Sequence, residues 1–167
     1  GGVLAVLILA ETGIHGIVSI TDNGTANRDI YVESEQEIGG LLESAGVDQV
    51  DYRTAIVNPL VRNEEILYQL NGMSMYSSTN TEEMWNFVKN MGFENLENRF
   101  QYAGSTEVMD MLLGIRYLFC RNTRTLHTAY KKIAESQSFD LYENPRALRS
   151  GYMVSDSVLD YAMEGTD

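Results

Sequence analysis

The amino-acid sequence predicts an α+β fold, in which a mixed β-sheet packs with about three helices in a single domain. The 167 residues suffice for one domain, and a hydrophobic content of 44% is that of a globular protein. Segments with helical apolar spacing alternate with short segments rich in β-branched and aromatic residues. Two of these short segments also follow each other as a hairpin. Alternation combined with a hairpin is typical of a mixed sheet.

The chain begins with an apolar segment, residues 1–20, which we separate from a domain formed by residues 21–167. Residues 3–10 are eight apolar residues that end before Glu11. A membrane-spanning helix needs about 20 apolar residues, so this run alone is too short, and it lacks the basic start of a signal peptide. It is therefore either a buried element of the domain or the outer end of a transmembrane helix. We favour the transmembrane end.

The first predicted helix begins at a capping box formed by Ser34 and Glu37. Gly46 ends it, and its apolar residues recur at helical spacing: Ile38, Leu41 and Leu42. Residues 51–57 then read as a strand, closed by a turn at Asn58 and Pro59. Residues 63–70 fit either a short helical turn or a strand.

The second and third predicted helices have clear ends. A capping box of Thr79 and Glu82 begins the second helix, and Gly92 ends it. Its predicted buried face consists of Met84, Trp85, Phe87, Val88 and Met91. The third helix begins near Ser105 and ends at Gly114, with an apolar side of Val108, Met109, Met111, Leu112 and Leu113.

The second half of the chain supplies most of the predicted sheet. Residues 115–120 are apolar on both faces except for Arg116, which predicts a central strand. Residues 130–134 and 139–143 form the hairpin pattern. Residues 151–154 read as a last strand.

Several classes of function are disfavoured by the residues themselves. A net charge of -12 repels nucleic acids, so no nucleic-acid partner is expected. Neither His15 nor His127 lies in a cluster of Cys, His and carboxylate residues at ligand spacing, so neither a metal nor another cofactor is expected. No phosphate-binding glycine loop and no nucleophile elbow occur. We assign no catalytic residue. Asp110 either faces solvent, or pairs with Arg116, or caps a loop.

The strongest candidate for a binding site is the loop before the second helix. It concentrates hydroxyl, amide and ring-bearing side chains in a few residues: Asn71, Tyr76, Ser77, Ser78 and Thr79. Hydroxyls and amides match sugar hydroxyls, and a tyrosine ring offers a face to a pyranose. In the alternative interpretation, the hydroxyls cap the following helix and Tyr76 packs in the core. Both interpretations stay open at this point.

Three segments together resemble the YfhO-like family of bacterial multi-spanning membrane proteins. They read YQLNGMSMYSST at residues 68–79, YAGSTEVMDMLLGIRYL at 102–118 and LYENPRALRSGYMV at 141–154. With Arg53 in a preceding strand, the resemblance covers roughly residues 51–154. The chain departs from the family pattern at Arg149, where a proline is usual, which puts only the local turn in doubt.

The resemblance implies an extracytoplasmic domain at the cell membrane, within a protein of GT-C-like glycosyltransferase architecture. Such proteins are thought to transfer a sugar from a polyprenyl-phosphate carrier to a cell-envelope polymer such as teichoic acid. The resemblance implies that the catalytic acid lies in another loop of the parent protein, so this domain is accessory and not catalytic alone. Its partners would be the membrane, through the rest of the parent, and the polymer or lipid-linked sugar. The alternatives are a ligand- or protein-binding sensor ectodomain and a purely structural interaction domain.

Overall fold

A computed structural model describes residues 2–22, 27–47, 49–96, 99–121 and 129–156 of the chain. These residues contain the helices α1 (Gly2–Asp22), α2 (Arg28–Ala45), α3 (Glu64–Leu67), α4 (Glu82–Asn90) and α5 (Glu107–Leu112). The strands are β1 (Arg53–Val57), β2 (Met75–Tyr76), β3 (Glu94–Leu96), β4 (Arg99–Gln101), β5 (Ile115–Arg121), β6 (Lys131–Glu135) and β7 (Phe139–Glu143). The chain divides into two compact units, residues 1–33 and residues 34–167. The α+β prediction is confirmed.

Helix α1 is 21 residues long, and none of its residues is buried. Its mean hydropathy of 2.0 and its length are those of a helix able to cross a membrane, and also of a signal sequence. The sequence analysis ended the apolar run at Glu11 and so underestimated the helix. One carboxylate and Gly13 interrupt the apolar run, but they do not end the helix. The structure does not show this segment as a buried element. The domain boundary at residue 20 stays a prediction.

A four-stranded mixed sheet forms the centre of the second unit, in the order β1-β5-β7-β6. Strand β1 pairs with β5 in parallel, whereas β7 pairs antiparallel with both β5 and β6. The prediction of a central strand at β5 and of a hairpin at β6–β7 is confirmed. Leu118 and Phe119 of β5 are completely buried.

Two apolar clusters cover the two faces of this sheet, because successive strand residues point to opposite faces. Ile56 and Phe119 pack with Ile38 and Leu41 of α2 in the first cluster. On the other face, Leu118 packs in the second cluster, which draws on α4, β4 and the loops beside them: Val88, Phe93, Phe100 and Tyr102. The sheet therefore lies between α2 on one side and the α4–β4 region on the other.

Several predicted helix ends differ from the structure. Ser34 and Glu37 do not cap a helix, because α2 begins earlier and contains both residues. At its other end the prediction is confirmed, since Gly46 has a φ of 59° and the N–H of Val47 donates to the carbonyl of Leu42 at 3.0 Å. The cap of α4 is Thr81, whose hydroxyl accepts from the N–H of Met84 at 3.3 Å, rather than the predicted Thr79.

The second region of sheet was not predicted. It has three strands in the order β2-β4-β3, each only two or three residues long. Strands this short leave no periodic signal in the sequence. Conversely, the predicted last strand at residues 151–154 is wrong, because the structure has no strand there.

The structure also decides two further helix predictions, the element at residues 63–70 and the buried face of α4. Residues 63–70 contain the short helix α3 rather than a strand. In α4 only Val88 is buried, whereas Met84 and Phe87 are each exposed by nearly half. Helical spacing identified the apolar side chains of α4, but it could not show that only part of that face meets the rest of the domain.

Candidate functional site

A cleft lies between the segment around α3 and the three-stranded sheet. Its volume is about 190 Å³, and the side chains that matter below are Arg62, Asn63, Tyr76 and Arg99. Two of these residues precede α3, and the other two belong to β2 and β4. The cleft is thus built where a turn meets the edge of the small sheet.

Asn63 fixes β2 against α3. Its side-chain oxygen accepts from the N–H of Tyr76 at 2.6 Å, and its Nδ2 donates to the Tyr76 carbonyl at 3.0 Å. The side-chain amide of Asn63 thus makes the two hydrogen bonds to the Tyr76 backbone that a neighbouring strand would make. Asn63 itself has a φ of 62°, a left-handed conformation that asparagine tolerates better than most residues. The backbone of Tyr76 is therefore held in place, while the residue as a whole is 47% exposed.

Two arginines line the cleft together with Tyr76. The Cζ atom of Arg62 lies 4.8 Å from the centroid of the Tyr76 ring, a cation–π contact. Arg99 is the direct cross-strand partner of Tyr76 in the β2–β4 register. The guanidinium of Arg99 lies 3.9 Å from the carboxylate of Glu94 in β3, the other neighbour of β4.

The carboxylate of Glu65 holds the loop of residues 70–74 against β1. Glu65 accepts from the N–H of Ile56 at 3.0 Å and from the N–H and hydroxyl of Ser74 at 2.8 and 3.0 Å. Burial raises its pKa, and these hydrogen bonds only partly oppose the shift. Gly72 passes so close that a Cβ there would lie 2.1 Å from Oε2 of Glu65. Gly72 is required for this approach.

Glu64, the neighbouring residue, is also buried, and both of its carboxylate oxygens have partners. It pairs with Arg121 and accepts from the N–H of Leu60 at 2.6 Å. The Arg121 guanidinium also lies 4.4 Å from the ring centroid of Phe139, so this ion pair joins α3 to the main sheet. The sequence analysis missed both glutamates, since two acids at the start of a short helix look like ordinary solvent-exposed charges.

The five residues predicted to bind a ligand do not all lie at the cleft. Tyr76 lines it. The Asn71 side chain donates to the carbonyls of Gln49 and Tyr52 at 3.3 and 3.1 Å, so it is engaged in holding the loop. The hydroxyls of Ser77 and Thr79 lie 2.8 Å apart and bond to each other.

Neither of the two interpretations of this loop describes it fully. Ser78 is exposed, and Tyr76 is not packed in the core. The cap of α4 is Thr81, so Ser77 and Thr79 do not serve that purpose either. A binding role for the five residues stays a prediction.

Asp110 lies in a separate polar cluster behind the small sheet. It is 1% exposed and accepts from the hydroxyls of Tyr102 at 2.7 Å and Tyr130 at 2.5 Å, and from that of Ser105. The interpretation that it faces solvent is wrong, and the hydrogen bonds of its carboxylate come from side-chain hydroxyls. Burial and the nearby carboxylate raise the pKa of both tyrosines well above the ordinary value. Arg116 pairs instead with Glu143 at 2.7 Å.

Within the described part of the chain, no group of three or more His, Cys, Asp or Glu side chains is arranged to hold a metal ion. His127 lies outside the described residues. The three buried carboxylates are each satisfied by hydroxyl, amide or guanidinium donors from the protein. The cleft around Tyr76 is therefore the best candidate for a binding site.

Comparison with known proteins identifies the family of this chain. The family model described as "Bacterial membrane protein YfhO" matches residues 2–166, which include α1 and every residue of the cleft. No curated protein and no solved structure shows significant similarity to the chain. Because the family match extends over nearly the whole sequence, the resemblance noted in three segments is confirmed. The chain belongs to the YfhO family of bacterial membrane proteins.

Proposed function

We propose that this chain is an extracytoplasmic domain of a YfhO-type membrane protein. In this proposal it assists the transfer of a sugar from a polyprenyl-phosphate carrier to a cell-envelope polymer such as teichoic acid. Membership of a membrane-protein family supports a location at the membrane. The helix α1, which has the length and hydropathy of a membrane span, supports it too. The domain contacts the acceptor, and the reaction itself takes place elsewhere in the parent protein.

The observation that carries the proposal is the half-exposed ring of Tyr76 in the cleft. Its backbone is fixed by Asn63, and the Arg62 guanidinium packs against the ring. A rigid aromatic ring with part of its surface accessible suits contact with a pyranose. The hydroxyls of Ser77, Ser78 and Thr79 follow directly in sequence and would add polar contacts to sugar hydroxyls.

An accessory role fits the chemistry of the buried acids. A general acid or base must reach its substrate with a free proton or lone pair. Glu64, Glu65 and Asp110 are each at most 1% exposed, and their oxygens accept from protein donors. They stabilise the domain. We therefore place the catalytic acid in another part of the parent protein.

The proposal is tested by changing the ring in the full-length gene. Tyr76→Ala removes the ring without touching the buried core, so the protein should reach the membrane at normal levels. We expect envelope polymers from these cells to lose most of their sugar decoration, measured by glycan and teichoic acid analysis. The matched control is Tyr152→Ala, a tyrosine that is 45% exposed and does not line the cleft.

Unchanged decoration in Tyr76→Ala cells, with normal protein levels, would contradict the proposal and favour a binding or sensor domain. Asn71→Ala is not an equivalent test, because the Asn71 amide holds the carbonyls of Gln49 and Tyr52. Loss of function in that variant would report a disturbed loop.

The extracytoplasmic location has its own test. Cys120 is the only cysteine of these 167 residues and is completely buried, so Ser78→Cys adds one accessible thiol to this domain. A membrane-impermeant maleimide should label Ser78→Cys in intact cells as fully as in permeabilised cells. Labelling only after permeabilisation would place the domain on the cytoplasmic side and would contradict the proposal.

A further inference from the structure

The cleft concentrates positive charge in a strongly acidic protein. The sequence has 24 Asp and Glu against 12 Lys and Arg. Nevertheless, Arg62 and Arg99 both line the cleft, and Arg62 contacts the Tyr76 ring. A pyranose is uncharged, so contact with a sugar does not explain why two arginines line the same cleft.

Neither arginine is tightly paired with a carboxylate among the described residues. Arg62 has no carboxylate oxygen within ion-pair distance in this part of the chain. The nearest carboxylate to Arg99 is that of Glu94, at 3.9 Å, and the Glu94 side chain is half exposed. By contrast, Arg116 and Arg121 make short contacts with Glu143 and Glu64. Arg62 is thus available to an external anion, and Arg99 is held only by a long contact with a half-exposed carboxylate.

The two acids that line the cleft do not neutralise these arginines. Glu64 is paired with Arg121, and Glu65 accepts from Ile56 and Ser74. Both carboxylates are buried, so they lie beneath the surface that an incoming group would meet.

We propose that the cleft binds a phosphate group, with the two arginines that line it, Arg62 and Arg99, as its ligands. Planar guanidinium groups match phosphate oxygens in geometry and charge, and they form strong charge-assisted hydrogen bonds. This inference rests on the proposed function and deepens it. The acceptor is recognised through the phosphodiester charge of its backbone, while the ring contacts the adjoining sugar or polyol. The same chemistry would also accept the phosphate of a lipid headgroup.

The test measures binding of a synthetic glycerol-phosphate oligomer to the full chain in phosphatidylcholine nanodiscs. The wild-type chain should bind this probe and lose affinity as salt is added. Arg62→Gln and Arg99→Gln should each weaken binding about tenfold, because each removes a charged hydrogen-bond donor. Arg146→Gln is the matched control, since Arg146 is exposed, lies outside the cleft and carries the same charge.

Two results would overturn the inference. One is unchanged affinity for the oligomer in both cleft variants. The other is equal binding of an uncharged polyglycerol of the same length, which would show that phosphate is not recognised.

A second set of nanodiscs identifies the source of the phosphate. Replacing phosphatidylcholine with phosphatidylglycerol should leave oligomer binding unchanged if the polymer is the natural source. Competition by phosphatidylglycerol that disappears in the Arg62→Gln and Arg99→Gln variants would support the same phosphate site with a lipid headgroup as its occupant.

The cell assay separates this inference from the proposed function. Cells with Tyr76→Ala that lose sugar decoration, while Arg62→Gln and Arg99→Gln still bind the oligomer normally, would overturn the phosphate site and keep the proposed function. Oligomer binding that depends on both arginines, with decoration intact in all three variants, would support the phosphate site and contradict the proposed function.

Discussion

The arginines of the two sheets differ in how closely they are paired with carboxylates. In and around the four-stranded sheet, Arg116 and Arg121 are closely paired with glutamates. At the three-stranded sheet, Arg99 has only a long contact to a half-exposed glutamate, and Tyr76 is half exposed beside it. The arginines of the first sheet thus hold the fold together through short ion pairs, whereas Arg99 of the second sheet keeps a long contact at the cleft. In our proposal the first sheet is the scaffold and the second sheet carries the candidate site.

The largest contrast is expected from the apolar side chains of the two regions. Phe119→Ala removes a completely buried ring from the main sheet and should lower the free energy of unfolding by about 3–5 kcal/mol. Met75→Ala in β2, where the side chain is 37% exposed, should cost less than about 1 kcal/mol. Urea unfolding of the full chain in mild detergent, followed by circular dichroism, measures both. Equal losses would show that the small sheet is as much a part of the stabilising core as the large one.

Gly72 tests the junction between the two sheets. Gly72→Ala forces a Cβ into the carboxylate of Glu65, so we expect a loss of about 1–3 kcal/mol in the free energy of unfolding. Gly40→Ala is the control, because nothing lies within 4 Å of a Cβ at that position in α2. Alanine there should stabilise by about 0.5–1 kcal/mol. A Gly72→Ala protein as stable as wild type would mean that the loop does not depend on Glu65.

The corrected helix cap gives a smaller effect. Thr81→Ala removes the hydroxyl that accepts from the N–H of Met84, and should destabilise the domain by about 1 kcal/mol. Thr79→Ala loses only an exposed contact with Ser77 and should cost less. Thermal unfolding of the two variants distinguishes them. A larger loss of stability in Thr79→Ala than in Thr81→Ala would instead support Thr79, the cap predicted from the sequence.

The smallest expected effects concern pH, and they have opposite signs for two glutamates. Burial pushes the pKa of Glu37 up, but hydrogen bonds from Ser136 and Ser138 outweigh it and lower the pKa below the ordinary 4.5. Stability from Glu37 is therefore present above pH 4.5 and is lost as the pH falls through the lowered pKa. Burial raises the pKa of Glu65, so its contribution is present below pH 4.5 and is lost as the pH rises through the raised pKa.

Glutamine variants test this opposition. Glu37→Gln should reduce the loss of stability on acidification, and Glu65→Gln should reduce the loss toward neutral pH. Unfolding free energies measured across the acidic and neutral range give the two slopes. Slopes that change in the same direction would contradict the assignment of the two carboxylates.

The sequence predicted the scaffold far better than the site. Strand β5 is apolar on both faces, and glycines such as Gly46 and Gly92 end helices, so burial and backbone geometry leave direct signals. Strand β2 has only two residues and no periodicity to detect. The Asn63–Tyr76 and Tyr76–Arg99 contacts join residues distant in sequence, so no spacing rule predicts them. Tyr76 was identified only because ring and hydroxyl residues cluster around it.

Buried charge was equally hidden from sequence reasoning. Asp110 lies on a helix among apolar neighbours, and helical spacing allowed either a solvent-facing or an inward position. Its burial depends on hydroxyls from Tyr102 and Tyr130, which are supplied by other parts of the chain. Whether a carboxylate is buried thus depends on tertiary partners.

In our proposal the cleft performs the function, and the main sheet only supports the cleft. The most direct test compares Tyr76→Ala with Ile56→Val, a mild change in the buried core that should cost about 0.5–1.5 kcal/mol. Sugar decoration of envelope polymers is measured per molecule of membrane-inserted protein, in cells carrying each full-length variant. We predict that Ile56→Val keeps normal decoration per molecule, whereas Tyr76→Ala loses most of it at normal protein levels. Decoration that simply follows the amount of folded protein in both variants would contradict the claim.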